Sequence, residues 1–289
     1  MNDIRRTILW VIFGFSMVLL WDQWQVHNGK KATFFPSPAQ QVAPAAVGAS
    51  GPLPAASDAG VPAAVAQAGT AMAPVAPVAP TAPKERFEVT TDVLKLTFDT
   101  EGGSLVRTEF LKYSDMADKT RNFVLLDDSK DRVYMAQTGV IAGAAGGAFP
   151  THKTPMAVTG ERVLKDGANE LVVKFTSPDV GGIKLVKTYT LRRGAYDATV
   201  KHELTNTSTA AIAPQLYLQL VRDGNKPAGE SSFYSTFTGP AVYTEAKKYQ
   251  KAEFSDIKKK NVDVEKQASN GYIAMVQHYF ASAWILPDG

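Results

Sequence analysis

The chain has 289 residues, 31 lysines and arginines against 28 acids, and no cysteine. A net charge of +3 gives no global basic field for nucleic acid. The absence of thiols excludes disulfide scaffolds, cysteine nucleophiles and Cys-ligated zinc or iron–sulfur centres.

Residues 7–20 read TILWVIFGFSMVLL and carry no charge. A spanning helix needs about 20 apolar residues, a length reached when Trp21 and Trp24 are counted as interfacial rings. Residues 7–24 are therefore expected to form a transmembrane helix. Arg5 and Arg6 precede it, which places residues 1–6 in the cytoplasm and the remainder outside. Lys30 and Lys31 weaken this bias, but from further away. A cleaved signal peptide shares the basic start and apolar core. The residues that follow, WDQWQ, are bulky and polar where a cleavage site needs small ones. An uncleaved anchor is expected, with Arg5, Arg6, Trp21 and Trp24 at the membrane interfaces and the lipid bilayer as a partner.

Residues 36–83 have alanine or proline at most positions and almost no charge. Alanine brings little area to bury and proline interrupts helices, so residues 25–85 are expected to be a disordered, flexible linker. The segment APVAPVAP within it is low in complexity rather than a structural repeat.

Beyond the linker the composition changes. In TDVLKLTFDTEGGSLVRTEFL, Leu94, Leu96 and Phe98 alternate with polar residues and Gly102-Gly103 make a turn, which predicts a strand, a turn and a strand. Val173 and Phe175 alternate likewise, Gly181-Gly182 turn, and IKLVKTYTL sets lysines between apolar residues. Arg193-Gly194 turn into YDATVKHEL. Strands at short intervals without helical periodicity predict one mainly β, antiparallel sandwich over residues 86–289. Residues 139–150, GVIAGAAGGAFP, read as a loop or insertion. Residues 244–261 tolerate a helix but lack an apolar stripe, so a charged loop or a strand pair fits equally well. GYIAMVQHYFASAWI, residues 271–285, is too short and too polar at Gln277-His278 for a span. Both of its alternating sets are largely apolar, which predicts a strand covered on both faces, with His278 as a hydrogen-bonded core or sheet-edge residue.

Catalytic and metal motifs are missing. The histidines, His27, His152, His202 and His278, show no helical i, i+4 spacing and no HExxH. His202 and Glu203 are adjacent, and a strand sends adjacent side chains to opposite faces. No phosphate-binding glycine loop and no G-x-S-x-G elbow occurs. Asn206-Thr207-Ser208 is a formal glycosylation sequon that reads more simply as a strand-end turn. Lys247, Lys248, Lys251 and residues 258–260 form a loose basic cluster interrupted by acids, most simply a solvated face. No enzymatic activity and no cofactor is expected.

Taken together, several strings resemble the YidC family of bacterial inner-membrane protein insertases. They are the basic start and tryptophan-ended apolar span, TDVLKLTFDTEGGSLVRTEFL, YMAQTGV (134–140), VKTYTLRRGAYDATVKHELTN (186–206), FTGPAVYT (237–244), KYQKAEFSDI (248–257) and the closing GYIAMVQHYFASAWI. The resemblance implies a first span followed by a large periplasmic β-supersandwich similar in fold to galactose mutarotase. It implies nascent membrane proteins and the Sec translocon, including SecDF, as partners, and no nucleic acid. It further implies that the chain stops inside the periplasmic domain, a fragment without the later insertase spans. A contact with SecDF is implied at an edge holding Phe237, Gly239, Tyr243, Lys248, Tyr249 and Phe254; otherwise these aromatics pack the sandwich and the lysines are solvated. A mutarotase-like fold also raises a second reading, a tethered carbohydrate-binding or sugar-modifying protein. That reading requires a His and a carboxylate converging in a groove.

Overall fold

The computed structural model describes residues 10, 13, 15–18, 21, 60–62, 85–142, 148–225 and 236–286. Chain contacts divide it into two units, residues 1–53 and 54–289. In the first, Trp10, Phe13, residues 15–18 and Trp21 are helical, and the Trp10 and Phe13 rings meet edge to face at 6.0 Å. The expected span over 7–24 lies mostly outside the described residues, as do Arg5, Arg6, Trp24 and most of the linker. Among the described residues no helix is long and apolar enough to cross a membrane.

Among the described residues of the second unit, the regular elements are almost all antiparallel strands. In chain order these are β1 (Arg86–Thr90), β2 (Leu94–Asp99), β3 (Ser104–Ser114), β4 (Asn122–Asp128), β5 (Val133–Ala142), β6 (Ala157–Gly160), β7 (Glu170–Thr176), β8 (Ile183–Arg192), β9 (Ala198–Asn206), β10 (Pro214–Arg222), β11 (Gly239–Thr244), β12 (Lys248–Lys251), a single turn of helix α1 (Phe254–Lys258), β13 (Tyr272–Val276) and β14 (Ala281–Ile285). They form a six-stranded sheet in the order β1-β2-β3-β4-β5-β10 and a four-stranded sheet β6-β7-β8-β9. A further four-stranded sheet runs β12-β11-β13-β14.

The alternation read from the sequence sets the core. Leu171, Val173 and Phe175 of β7 and Ile183, Leu185, Tyr189 and Leu191 of β8 are buried. Phe98 of β2 meets both Phe175 and Tyr189, with ring centroids 5.4 and 4.8 Å apart. Phe98 and Phe175 are fully buried, and each such ring stabilises the fold by about 1.5–3 kcal/mol. The β2–β3 turn tolerates little else than its glycines. Gly102 and Gly103 both have positive φ, and a Cβ on Gly102 would run into the His152 backbone.

The third sheet is tied to the first by polar contacts. The buried Tyr134 hydroxyl reaches Ser282 at 2.7 Å and the Met275 carbonyl at 3.3 Å. Trp284 donates its indole N–H to the Gln219 carbonyl at 3.1 Å.

Two local expectations are corrected, and a segment left open between helix, loop and strand pair is resolved. Residues 271–285 form a hairpin rather than one strand: β13 and β14 pair with Tyr272 opposite Ile285, and the Gln277 N–H donates to the Phe280 carbonyl at 2.9 Å. Gly139 and the residues up to Ala142 belong to β5 rather than to a loop. The segment 244–261 holds both β12 and α1, and no residue of that helix is buried.

Candidate functional site

Two places concentrate polar or aromatic groups: the space between the first two sheets, and the outer part of the third.

Between the sheets lies Lys187. It occupies an inward position of β8, in phase with Leu185 and Tyr189, and is fully buried. Its Nζ donates to the carbonyl oxygens of Gly102 and Thr138, each at 2.6 Å, and among the described residues no carboxylate pairs with it. A neutral amine has two N–H groups, and both find acceptors here. Burial pulls its pKa from the ordinary lysine value down to about 7. His202, its Cα partner on β9, lies beside it and shares Nε2···Oγ1 with Thr138 at 2.9 Å. Burial, with the nearby lysine charge, lowers the His202 pKa to about 4, so this imidazole is neutral at ordinary pH. Tyr189 repeats the device, donating its hydroxyl to the Gly103 carbonyl at 2.9 Å. Two side chains of β8 thus cross the sandwich to hold the β2–β3 turn.

The other described histidines are held by hydroxyls too. The buried His152 shares Nδ1···Oη with Tyr217 at 2.6 Å, and its backbone N–H donates to the same oxygen. Burial raises the Tyr217 phenol to about 12. His278 lies in the β13–β14 turn, exposed, with Nδ1 2.7 Å from the Thr236 hydroxyl. Among the described residues neither His202 nor His278 has a carboxylate within reach. A surface groove of about 720 Å³ is lined by Glu85, Glu101, Met156, Ser177 and Lys184 among others, and by no histidine. The acid–base pair that sugar chemistry requires is therefore not assembled at His202 or at His278. Nor do these residues contain a group of three or more metal-ligating side chains.

Of the six residues expected at a partner-contact edge, Tyr243, Lys248 and Tyr249 share the β11–β12 hairpin, Phe237 lies beside Gly239, and Phe254 packs on the core cluster. Tyr243 on β11 stands opposite Tyr249 on β12 and Tyr272 on β13, and its ring stacks on Tyr272 at 5.2 Å and 6°. Lys248 opens β12 with a φ of 58°, ion-pairs with Glu245 at 3.2 Å and lies 6.0 Å from the Tyr243 ring. The Glu245 carboxylate holds this exposed ammonium above its usual pKa. Phe237 lies under the Lys251 ammonium at 4.9 Å, and Gly239 gives the Phe237 ring room. Phe254, partly buried, packs against the core cluster from α1. The Tyr249 side chain is 43% exposed. Packing and exposure are thus divided: Phe254 and Gly239 are structural, while Lys248 and Tyr249 are presented to solvent on the sheet's border strand. Of the membrane-interface residues only Trp21 is described; it is helical and exposed.

Residues 86–289 match the model of the YidC periplasmic domain. The chain belongs to the YidC family.

Relatives extend the likeness beyond the sandwich. The membrane protein insertase YidC of Bordetella parapertussis is 49% identical over 290 residues, 99% of this chain and 51% of the relative. The corresponding protein of Bordetella avium is 50% identical over 291 residues, and that of a Janthinobacterium species 45% over 287, each again covering 99% of this chain. The chain spans about half the length of the curated YidC relatives it matches. Both the candidate edge and the buried Lys187 lie inside the residues matched to the YidC periplasmic domain, whereas Arg5, Arg6, Trp21 and Trp24 precede them.

Lys187 was the residue missed by sequence reasoning. The signal was its phase: it follows Ile183 and Leu185 at even spacing and precedes Tyr189 and Leu191. A lysine inside a strand reads as a solvent-facing partner, and here only Lys184 is one.

Proposed function

We propose that this chain is the anchor and periplasmic part of a membrane protein insertase and chaperone. In this reading it assists the insertion, folding and assembly of integral inner-membrane proteins, with or without the Sec translocon. The supporting observation is the match to the YidC periplasmic domain, together with near 50% identity over 99% of the chain to proteins named as insertases. Residues 1–6 are then cytoplasmic, 7–24 an uncleaved membrane helix, 25–85 a periplasmic flexible linker and 86–289 the periplasmic sandwich, of supersandwich, mutarotase-like type and continued in the longer relatives. The partners are the lipid bilayer, nascent membrane proteins and the Sec machinery. The border strand that presents Lys248 and Tyr249, with Phe237, Gly239, Tyr243 and Phe254 behind it, is assigned to contact with SecDF. The domain performs no catalysis in this reading, which is supported by His202 and His278 being held by hydroxyl groups and the buried Lys187 amine by backbone carbonyls.

Depletion of the protein in its host tests the proposal. Insertion of a small single-span membrane protein, read by protease accessibility, should fall several-fold. Unchanged insertion would sink it.

A further inference from the structure

The stretch from Asn261 to Gly271 joins α1 to β13 and holds no regular element. It ends on Asn270-Gly271. Among the described asparagines Asn270 alone is followed by glycine; Asn122, Asn169, Asn206, Asn225 and Asn261 precede larger residues. The fold demands that glycine. Its φ is 122°, and a Cβ there would run into the Tyr243 carbonyl, where the chain passes alongside β11. The next residue, Tyr272, opens β13 opposite Tyr243, and their rings stack at 5.2 Å.

This arrangement sets a nucleophile beside an electrophile. The glycine backbone nitrogen can close a ring on the asparagine side-chain carbonyl carbon, and no Cβ hinders its approach. Among the described residues no hydrogen bond engages the Gly271 N–H, so hydroxide can remove its proton. On the other partner, Asn270 Oδ1 accepts the Glu245 N–H at 3.4 Å. Attack at Cγ moves negative charge onto that oxygen, where a backbone donor already in place stabilises it. Asn270 is half-buried rather than enclosed, so water reaches it.

We propose that Asn270-Gly271 is a self-modification site, at which the chain slowly converts this amide into a carboxylate beside the β11–β12 hairpin. The Gly271 nitrogen, its proton lost to hydroxide, bonds to Asn270 Cγ. The Cγ–Nδ2 bond breaks and ammonia leaves with a proton from water, closing a succinimide. Water then opens the ring at either carbonyl and leaves an aspartate or an isoaspartyl link. The balance is amide plus water giving carboxylate plus ammonium, with no oxidation or reduction. Either product adds a negative charge next to the turn where Glu245 and Lys248 ion-pair. The isoaspartyl link also lengthens the backbone by a carbon immediately before β13, at the base of the Tyr243–Tyr272 stack. The reacting atoms belong to adjacent residues, so only water has to reach the site.

Ageing the full-length protein in mildly alkaline buffer, followed by trypsin digestion, tests this. The peptide that begins at Gln267 should gain aspartate and isoaspartate, read by mass and by labelling with a protein isoaspartate methyltransferase. Its rate should exceed that at the other described asparagines by at least about tenfold, because only glycine leaves the attacking nitrogen unhindered. The rate should also rise with pH, since that nitrogen must lose its proton. Asn270→Gln would have to close a larger ring and should leave the peptide unmodified. A parallel sample in guanidinium separates the fold from the dipeptide. The native chain should convert within the time that the unfolded chain does, because the free Gly271 N–H and the Glu245 donor are both present in the folded state. The proposal is overturned if the native peptide stays an amide while the unfolded one reacts, if other asparagines of the sandwich react as fast, or if the product contains no isoaspartate.

Discussion

Lys187 shows how a single side chain can couple the sheets to pH. Its amine is enclosed by the sandwich, with two carbonyls as acceptors and, among the described residues, no counter-charge. An unfolded lysine holds its proton up to about pH 10.4, whereas the folded one gives it up near 7. Between these values the unfolded chain binds more protons than the native one, so stability rises with pH across that window and is flat below it. The slope from one proton approaches roughly 1.4 kcal/mol per pH unit. Lys187→Met has no such group, so the stability gap between wild type and variant should shift in favour of wild type by on the order of 2 kcal/mol from pH 7.5 to 9.5. Urea unfolding at the two pH values measures it, and a gap independent of pH would refute the neutral-amine assignment. His202 acts in the same direction at lower pH. Its depressed pKa means that stability is lost as pH falls from about 6.5 through 4.

At the level of elements, the border strand β12 and the turn before it present charge and aromatic surface together. Lys248 and Tyr249 project from this strand, while Tyr243 and Tyr272 stack behind it and Phe254 anchors the following helix turn. Lys248→Glu with Tyr249→Ser should therefore lower co-purification of SecDF at least threefold and leave the thermal unfolding midpoint within a few degrees, as surface changes usually do. Undiminished co-purification would return these residues to the role of a solvated face. The hairpins around Gly102-Gly103 and Gly194 were legible because glycine supplies the left-handed conformation that those turns adopt. The β13–β14 turn was not legible. Its residues, Gln277, His278, Tyr279 and Phe280, include no glycine, proline, asparagine or aspartate, so an apolar run read as continuous through it. Phe280 explains their presence: its ring stacks on Phe123 at 3.9 Å and packs against Phe110, so tertiary contacts rather than local turn preference stabilise that bend.

For the molecule as a whole, the proposed anchor and sandwich have different solvents, and the Pro/Ala stretch separates them. A span of the length and flanks read over residues 7–24 leaves the bilayer only with detergent. The full chain should therefore stay in the membrane pellet through alkaline carbonate extraction, and its release into the supernatant would refute the uncleaved anchor. The amino-acid sequence by itself determined the β class, the strands β2, β3, β7, β8 and β9, and the family, because these rest on alternation, turn chemistry and recurring strings that act over a few residues. Only the tertiary structure decided that Lys187 lies inside and what holds it there. Its acceptors are 85 and 49 residues away along the chain, brought near by two sheets closing on each other. Likewise, local pattern marked β9 as a strand, but its place beside β8 depends on which strands pair. Pairing is settled by burying the whole core at once, and no short stretch of sequence contains that information.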